Sequence, residues 1–99
     1  MKNLEWKFND PPNVAVIVSK NIISSKEWIA YVSHDSDDGA WQFHTSHSLP
    51  VTENDVALVS LQSIVNLDNS ITDLVDLPLG WCAWRKSVSD VWQKAPITD

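Results

Sequence analysis

Apolar residues in this chain come in runs of strand length, and helical spacing enters only once. "NVAVIVS" (13–19), "EWIAYVSHD" (27–35), "WQFHTS" (41–46), "VALVS" (56–60), "GWCAWRK" (80–86) and "DVWQKA" (90–95) are short and rich in β-branched or aromatic residues. Turn formers separate them. Between the fourth and fifth runs the period changes. Leu61, Ile64 and Val65 are spaced i, i+3, i+4, and Ile71, Leu74 and Val75 repeat the pattern. Strands, a helical pair and strands again predict an α+β fold: a mainly antiparallel sheet of about five to six strands with two short helices, 61–67 and 70–76, packed on it. Helices of about two turns do not persist alone in water, so both must dock on the sheet. Ser70 with Asp73 resembles a capping box for the second.

Side-chain alternation then assigns faces. The runs 13–19 and 56–60 are apolar on both faces, which predicts buried, central strands. In 27–35, Trp28, Ala30, Val32 and His34 share one face, and Ile29, Tyr31 and Ser33 the other. In 41–46, Trp41, Phe43 and Thr45 point inward, and Gln42, His44 and Ser46 outward. These two runs form a hairpin across "DSDDGA", with Gly39 as the positive-φ residue. "KNIISSKE" reads as a turn and "HSLPVTEND" as a connecting loop. A last hairpin closes around "SVSD". Residues 1–12 are a lead-in ended by the prolines of "NDPP". Ninety-nine residues suit one domain with a single core, 1–99.

Charge is segregated along the chain. No Lys or Arg occurs between Lys26 and Arg85, yet that span holds Glu27, Asp35, Asp37, Asp38, Glu53, Asp55, Asp68, Asp73 and Asp76. The net charge of -6 is thus concentrated in the middle of the sequence. A field of that sign repels nucleic acid and attracts a basic partner. No run approaches the ~20 apolar residues of a membrane span, and "MKNLEWKF" has no apolar segment behind it. The single cysteine, Cys82, cannot form an internal disulfide and reads as a small buried hydrophobe. The expectation is a cytoplasmic protein without nucleic-acid or membrane partners.

Motifs for chemistry are missing. Two glycines cannot build a phosphate-cradling loop. "DSDDG" lacks the ligand spacing and the distal Glu of a calcium loop. His34, His44 and His47 could meet around zinc only if the loop after 46 curled back, because an odd spacing along a strand sends side chains to opposite faces. No nucleophile elbow presents a serine, and Asp73 and Asp76 on an exposed helix are poorly placed to raise a carboxyl pKa. The expectation is a non-enzyme with no cofactor and no metal. The remaining anomaly is six tryptophans. Trp81 and Trp84 fall on opposite faces of one strand, so both faces there are covered. Trp6 and Trp92 are the candidates for exposure, and rigid aromatic rings suit contact surfaces.

The order of features resembles the DUF2185 domain, the Imm33 family of predicted bacterial immunity proteins, over about residues 13–86. "VAVIVSKNI" and "WIAYVSHD" open the likeness. "DDGAWQFHTS" is similar to the family's Asp-Ser-Gly-Trp-Arg-Phe-x-Ser-Gly element. "VALVSLQSIVNLDNSITDLVDLPLGWCAWRK" resembles its strand, Asn-x-Asp-x-Ser-Ile turn and Leu-x-x-x-Pro-x-Gly close. Thr45-Ser46 and the tryptophans at 81 and 84 depart from that pattern. The resemblance implies an α+β domain that binds and neutralises a cognate polymorphic toxin, and it carries over no catalytic residue. A stoichiometric inhibitor of a basic toxin would use the acids Asp35, Asp37, Asp38, Asp68, Asp73 and Asp76, with Trp84 and Trp92 as aromatic anchors. Two other classes stay open: a housekeeping interaction domain or homodimer with no toxin partner, and a carbohydrate-binding module that stacks sugars on tryptophan.

Overall fold

Six strands form one sheet in the computed structural model, which describes residues 6–45 and 53–97. They are β1 (Ala15–Ser19), β2 (Tyr31–His34), β3 (Trp41–His44), β4 (Val56–Ser60), β5 (Trp81–Trp84) and β6 (Gln93–Pro96). The spatial order is β4-β1-β3-β2-β5-β6. Only β1 and β3 run parallel; every other neighbouring pair is antiparallel. The helices are α1 (Lys20–Ser24) and α2 (Leu61–Leu67), with 3-10 turns at Glu53–Asp55 and Asn69–Leu74. The fold is α+β.

α1, α2 and the 3-10 turn Asn69–Leu74 cover the same face of the sheet. Register places Val59 and Ala57, Val16 and Val18, Phe43 and Trp41, Val32 and His34, and Ala83 and Trp81 on that face. Ile22 of α1, Leu61 and Ile64 of α2, and Ile71 and Leu74 of the 3-10 turn join them in one buried cluster. Each fully buried aliphatic or aromatic side chain of this kind contributes roughly 1.5–3 kcal/mol of transfer free energy. Phe8 meets Trp41 edge-on from the N-terminal segment.

Local bonding explains where α2 begins. The Ser63 N–H donates to Ser60 Oγ, the Gln62 N–H to the Pro12 carbonyl, and the Leu61 N–H to the Val14 carbonyl. A first turn whose free donors are all met needs no further cap. The prolines, which cannot donate, here act as acceptors. Gly39 (φ 75°) and Gly80 (φ 81°) occupy the left-handed turns that lead into β3 and β5.

Several expectations need correction. Among the described residues β4 is an edge strand, not a central one. "KNIISSKE" forms the single helical turn α1, because Ile22 can then enter the core. Residues 27–30 precede β2 rather than belong to it, and the chain turns Ile29 into the core against the strand parity. The second helix is a 3-10 turn that starts at Asn69, and its cap is Asp68, whose carboxylate accepts from the Ser70 N–H. Trp6 and Trp92 are half-buried against the core, and Trp28, 41% exposed, is the exposed tryptophan. Ser46 and His47 lie outside the described residues.

Candidate partner-binding surface

The face of the sheet opposite the helices holds Leu58, Ile17, Gln42, His44, Tyr31, Ser33, Cys82 and Trp84. None of these belongs to the buried apolar cluster or packs against it. The polar members satisfy one another. Gln42 Nε2 donates to Asp35 at 2.7 Å, so its Oε1 must accept from His44 Nε2–H at 2.9 Å. That leaves His44 Nδ1 as the acceptor for the Ser19 hydroxyl at 2.7 Å. Ser33 Oγ donates to the other Asp35 oxygen. His44, expected to point into solvent, is only 5% exposed. Burial lowers its pKa, against a smaller pull upward from Asp35. Tyr31 beside it is pushed up to about 12, first by burial and then by its hydrogen bond with Cys82. The Ser19–His44 pair has the form of a nucleophile with its base, yet neither residue lines any of the clefts described below. Both belong to a part-buried polar strip with Gln42, Asp35 and Ser33.

His34 takes the other side. It stacks on Trp41 at 3.9 Å and its Nδ1 meets the Leu77 carbonyl at 2.8 Å, on the helix-covered face. His34 and His44 therefore cannot share a metal, since the sheet lies between them. Among the described residues no group of three potential metal ligands converges.

The acids separate into two kinds. Asp35 is held in the polar strip, and Asp68 pairs with Arg85 at 2.7 Å. Burial pushes the Asp68 pKa up, but the Ser70 hydroxyl, the Arg85 guanidinium and the Ser70 N–H outweigh it and hold the carboxyl below its usual range. Both carboxylates are engaged by bonds within the fold. Asp37, Asp38, Asp73 and Asp76 are exposed. Asp37 and Asp38 line an open cleft with Asp35, Ser36, Gly80 and Ile97, where the β2–β3 loop meets the end of β6. The Ile97 N–H to Gly80 carbonyl bond and the Gly80 N–H to His34 carbonyl bond close this junction. Leu79 lies beside Gly39 and is 56% exposed, and Ile97 is 40% exposed. Asp76 flanks the same connection in sequence, while Asp73 stands nearer β6, its carbonyl 3.4 Å from Lys94 Nζ.

The tryptophan anchors are elsewhere. Trp84 is half-buried at the opposite end of β5, in a cleft with Lys86, Asp90, Val91 and Gln93. Trp92 stacks on Arg85 at 4.2 Å and packs on the core. A third cleft, lined by Trp28, Leu67, Val88 and Glu27, lies on the helical side. Sequence reasoning missed Leu79 and Ile97 because neither sits in a periodic run. Their only signal was an apolar residue in a turn beside Gly80, and another past the last strand. Comparison with protein-family models, with curated proteins and with solved structures finds no match to this chain.

Proposed function

We propose that this chain is a non-catalytic immunity protein that binds a cognate, basic polymorphic toxin and covers its active surface. The observation that carries the reading is the end of the sheet where Asp37, Asp38 and exposed Ile97 line one open cleft and exposed Leu79 lies beside Gly39 of the same loop. Exposed apolar residues beside acids are what a basic protein surface would complement, the acids steering the encounter and the apolar contacts excluding water. The resemblance of the motif order to that of the DUF2185 domain supports the same reading from the sequence side. Asp35 and Asp68 hold the scaffold, and Asp37, Asp38, Asp73 and Asp76 supply the field. Trp84 is a secondary contact at the far end of β5.

The test is co-expression with the toxin-like product of a neighbouring reading frame. Growth should be restored by the wild-type chain, and the two proteins should co-purify at fixed stoichiometry. Replacing Leu79 and Ile97 together by Ser should abolish rescue while leaving circular dichroism unchanged. Full rescue by that folded double variant would remove this end of the sheet from the reading.

A further inference from the structure

The cleft on the helical side is assembled from three separate segments. Residues 26–29 before β2 form one wall, Leu67 and Asp68 at the end of α2 a second, and Val88 of the β5–β6 loop a third. Buried Arg85 ties all three together. It donates to the Ile29 carbonyl at 2.9 Å, the Asp68 carboxylate at 2.7 Å and the Val88 carbonyl at 3.2 Å. Ile22 and Ile29, both buried, give the cleft an apolar floor. Its volume is about 430 Å³, within the span of small-ligand pockets, about 300–1,000 Å³. It lies where β2 begins and β5 ends, whereas the acidic cleft lies where β2 ends and β5 begins.

Two features here work against the stability of the fold. Lys26 takes a left-handed conformation (φ 57°) in which glycine would be unstrained, and it lines the cleft. Trp28 is left 41% exposed, beside Leu67 and Val88, which are exposed as well. Arg85 lies 5.8 Å from the centre of the Trp28 ring and restrains it. An exposed indole held by a buried charge is a prepared contact rather than a leftover of packing.

The lining discriminates among ligand chemistries. A purely apolar ligand would bury Lys26, Glu27 and the exposed edge of Asp68 without bonds. A simple anion would meet Glu27 and Asp68, and a simple cation would meet Lys26, with Arg85 behind Asp68. A neutral ligand with a flat apolar face and hydroxyls around its rim avoids all of these penalties. Asp68 has an acceptor position left for it: Oδ1 accepts from the Ser70 N–H and hydroxyl, whereas Oδ2 accepts from Arg85 alone. We propose that this cleft binds a neutral pyranose sugar, with one face of the ring on Trp28 and its hydroxyls bonded to Lys26, Glu27 and Asp68. Rings with equatorial hydroxyls fit best, because their axial C–H groups give the flat apolar face that an indole covers. The site is separate from the acidic end of the sheet, so it stands or falls without the toxin.

Titration of the isotopically labelled full chain with cellobiose and with N,N′-diacetylchitobiose, up to millimolar concentration, tests this by amide and indole NMR shifts. Saturable shifts should appear at the Trp28 indole N–H and at the amides of Lys26, Glu27, Asp68 and Val88. Trp28→Ala should weaken binding about tenfold or more, and Trp28→Phe should restore most of it. Because Trp28→Ala also removes a contact to Arg85, Glu27→Ala is the second variant. Glu27 is exposed, so this change should leave the melting curve intact and still weaken binding severalfold. Glucuronate and glucosamine, charged counterparts of the same ring, should bind more weakly than glucose. Absence of saturable shifts with both disaccharides overturns the proposal, and so do shifts centred away from Trp28. Binding that survives both Trp28→Ala and Glu27→Ala unchanged overturns it as well. A response to toluene or phenylalanine but to neither sugar would make the cleft an apolar or zwitterion site, which also overturns it.

Discussion

Arg85, with 1% of its side chain exposed, meets the Asp68 carboxylate at 2.7 Å and so ties the end of β5 to the helical layer. The same guanidinium donates from Nε to the Ile29 carbonyl and from Nη1 to both Ser70 Oγ and the Val88 carbonyl. It also lies over Trp92. Removing one member of such a pair leaves a buried charge uncompensated. Asp68→Asn should therefore destabilise the fold by about 3 kcal/mol, the low end for breaking a buried pair, since Asp68 keeps an edge in solvent. Arg85→Lys should fare no better, because an ammonium cannot span four acceptors in one plane. Urea unfolding measures both, and a loss under about 1 kcal/mol for either would contradict this role.

Acid should weaken the fold in two separate windows. The His44 pKa is lowered in the folded state, so its contribution is complete above the ordinary value of 6.5. It is lost as pH falls from there through the folded value, because the unfolded chain binds the proton first. Asp68 is also lowered, from an ordinary 3.8, and its contribution is lost only as pH falls below that. His44→Gln should flatten the upper window and leave the lower one. Unfolding free energies at half-unit steps from pH 8 to 3 test this; an unchanged slope between pH 7 and 5 would assign the upper window to another group.

The limits of the sequence reading have physical causes. Turn chemistry is local, so the hairpin across Gly39 was legible, and so was α2, whose apolar spacing is unambiguous. Apolarity on both faces reads as centrality, but in β4 one of those faces turns Leu58 outward at an edge. His44 reads as exposed by alternation, and it is buried because Ser19 and Gln42, distant in sequence or on the same strand, complete its bonds. Composition shows charge, not its partner. Asp68 and Asp35 look like surface acids until Arg85 and Gln42 are placed beside them. One signal was available: Arg85 ends the base-free span inside an otherwise apolar segment, where a cation needs a carboxylate.

Two tryptophans should respond oppositely to the loss of the indole N–H. Trp41 Nε1 donates to the Asp10 carboxylate at 2.8 Å, whereas Trp92 Nε1 is buried without a partner among the described residues. Trp41→Phe should cost about 1.5–3 kcal/mol, typical for a hydrogen bond to a charged group. Trp92→Phe removes an unsatisfied donor and keeps a ring for Arg85 to stack on, so the change should stay within about 1 kcal/mol. Equal losses in thermal or urea unfolding would show that Trp92 Nε1 has a partner after all.

Charge reversal separates steering acids from structural ones. Asp37 and Asp76 are exposed and make no hydrogen bond or ion pair with the described residues, so Asp37→Lys with Asp76→Lys should leave the melting temperature unchanged. If a basic toxin is drawn to this end of the sheet, the double variant should associate with it about tenfold or more slowly at low salt. The gap should close as ionic strength rises, because exposed charges are screened beyond about 8 Å at physiological salt. Dissociation should change little, since rim charges act mainly on the encounter. Asp68→Lys is the contrasting case: it should lose binding through loss of the fold, visible in the melt before any toxin is added. Stopped-flow association at two salt concentrations decides the matter. A folded double variant that associates at the wild-type rate at low salt would place the toxin contact away from Asp37 and Asp76.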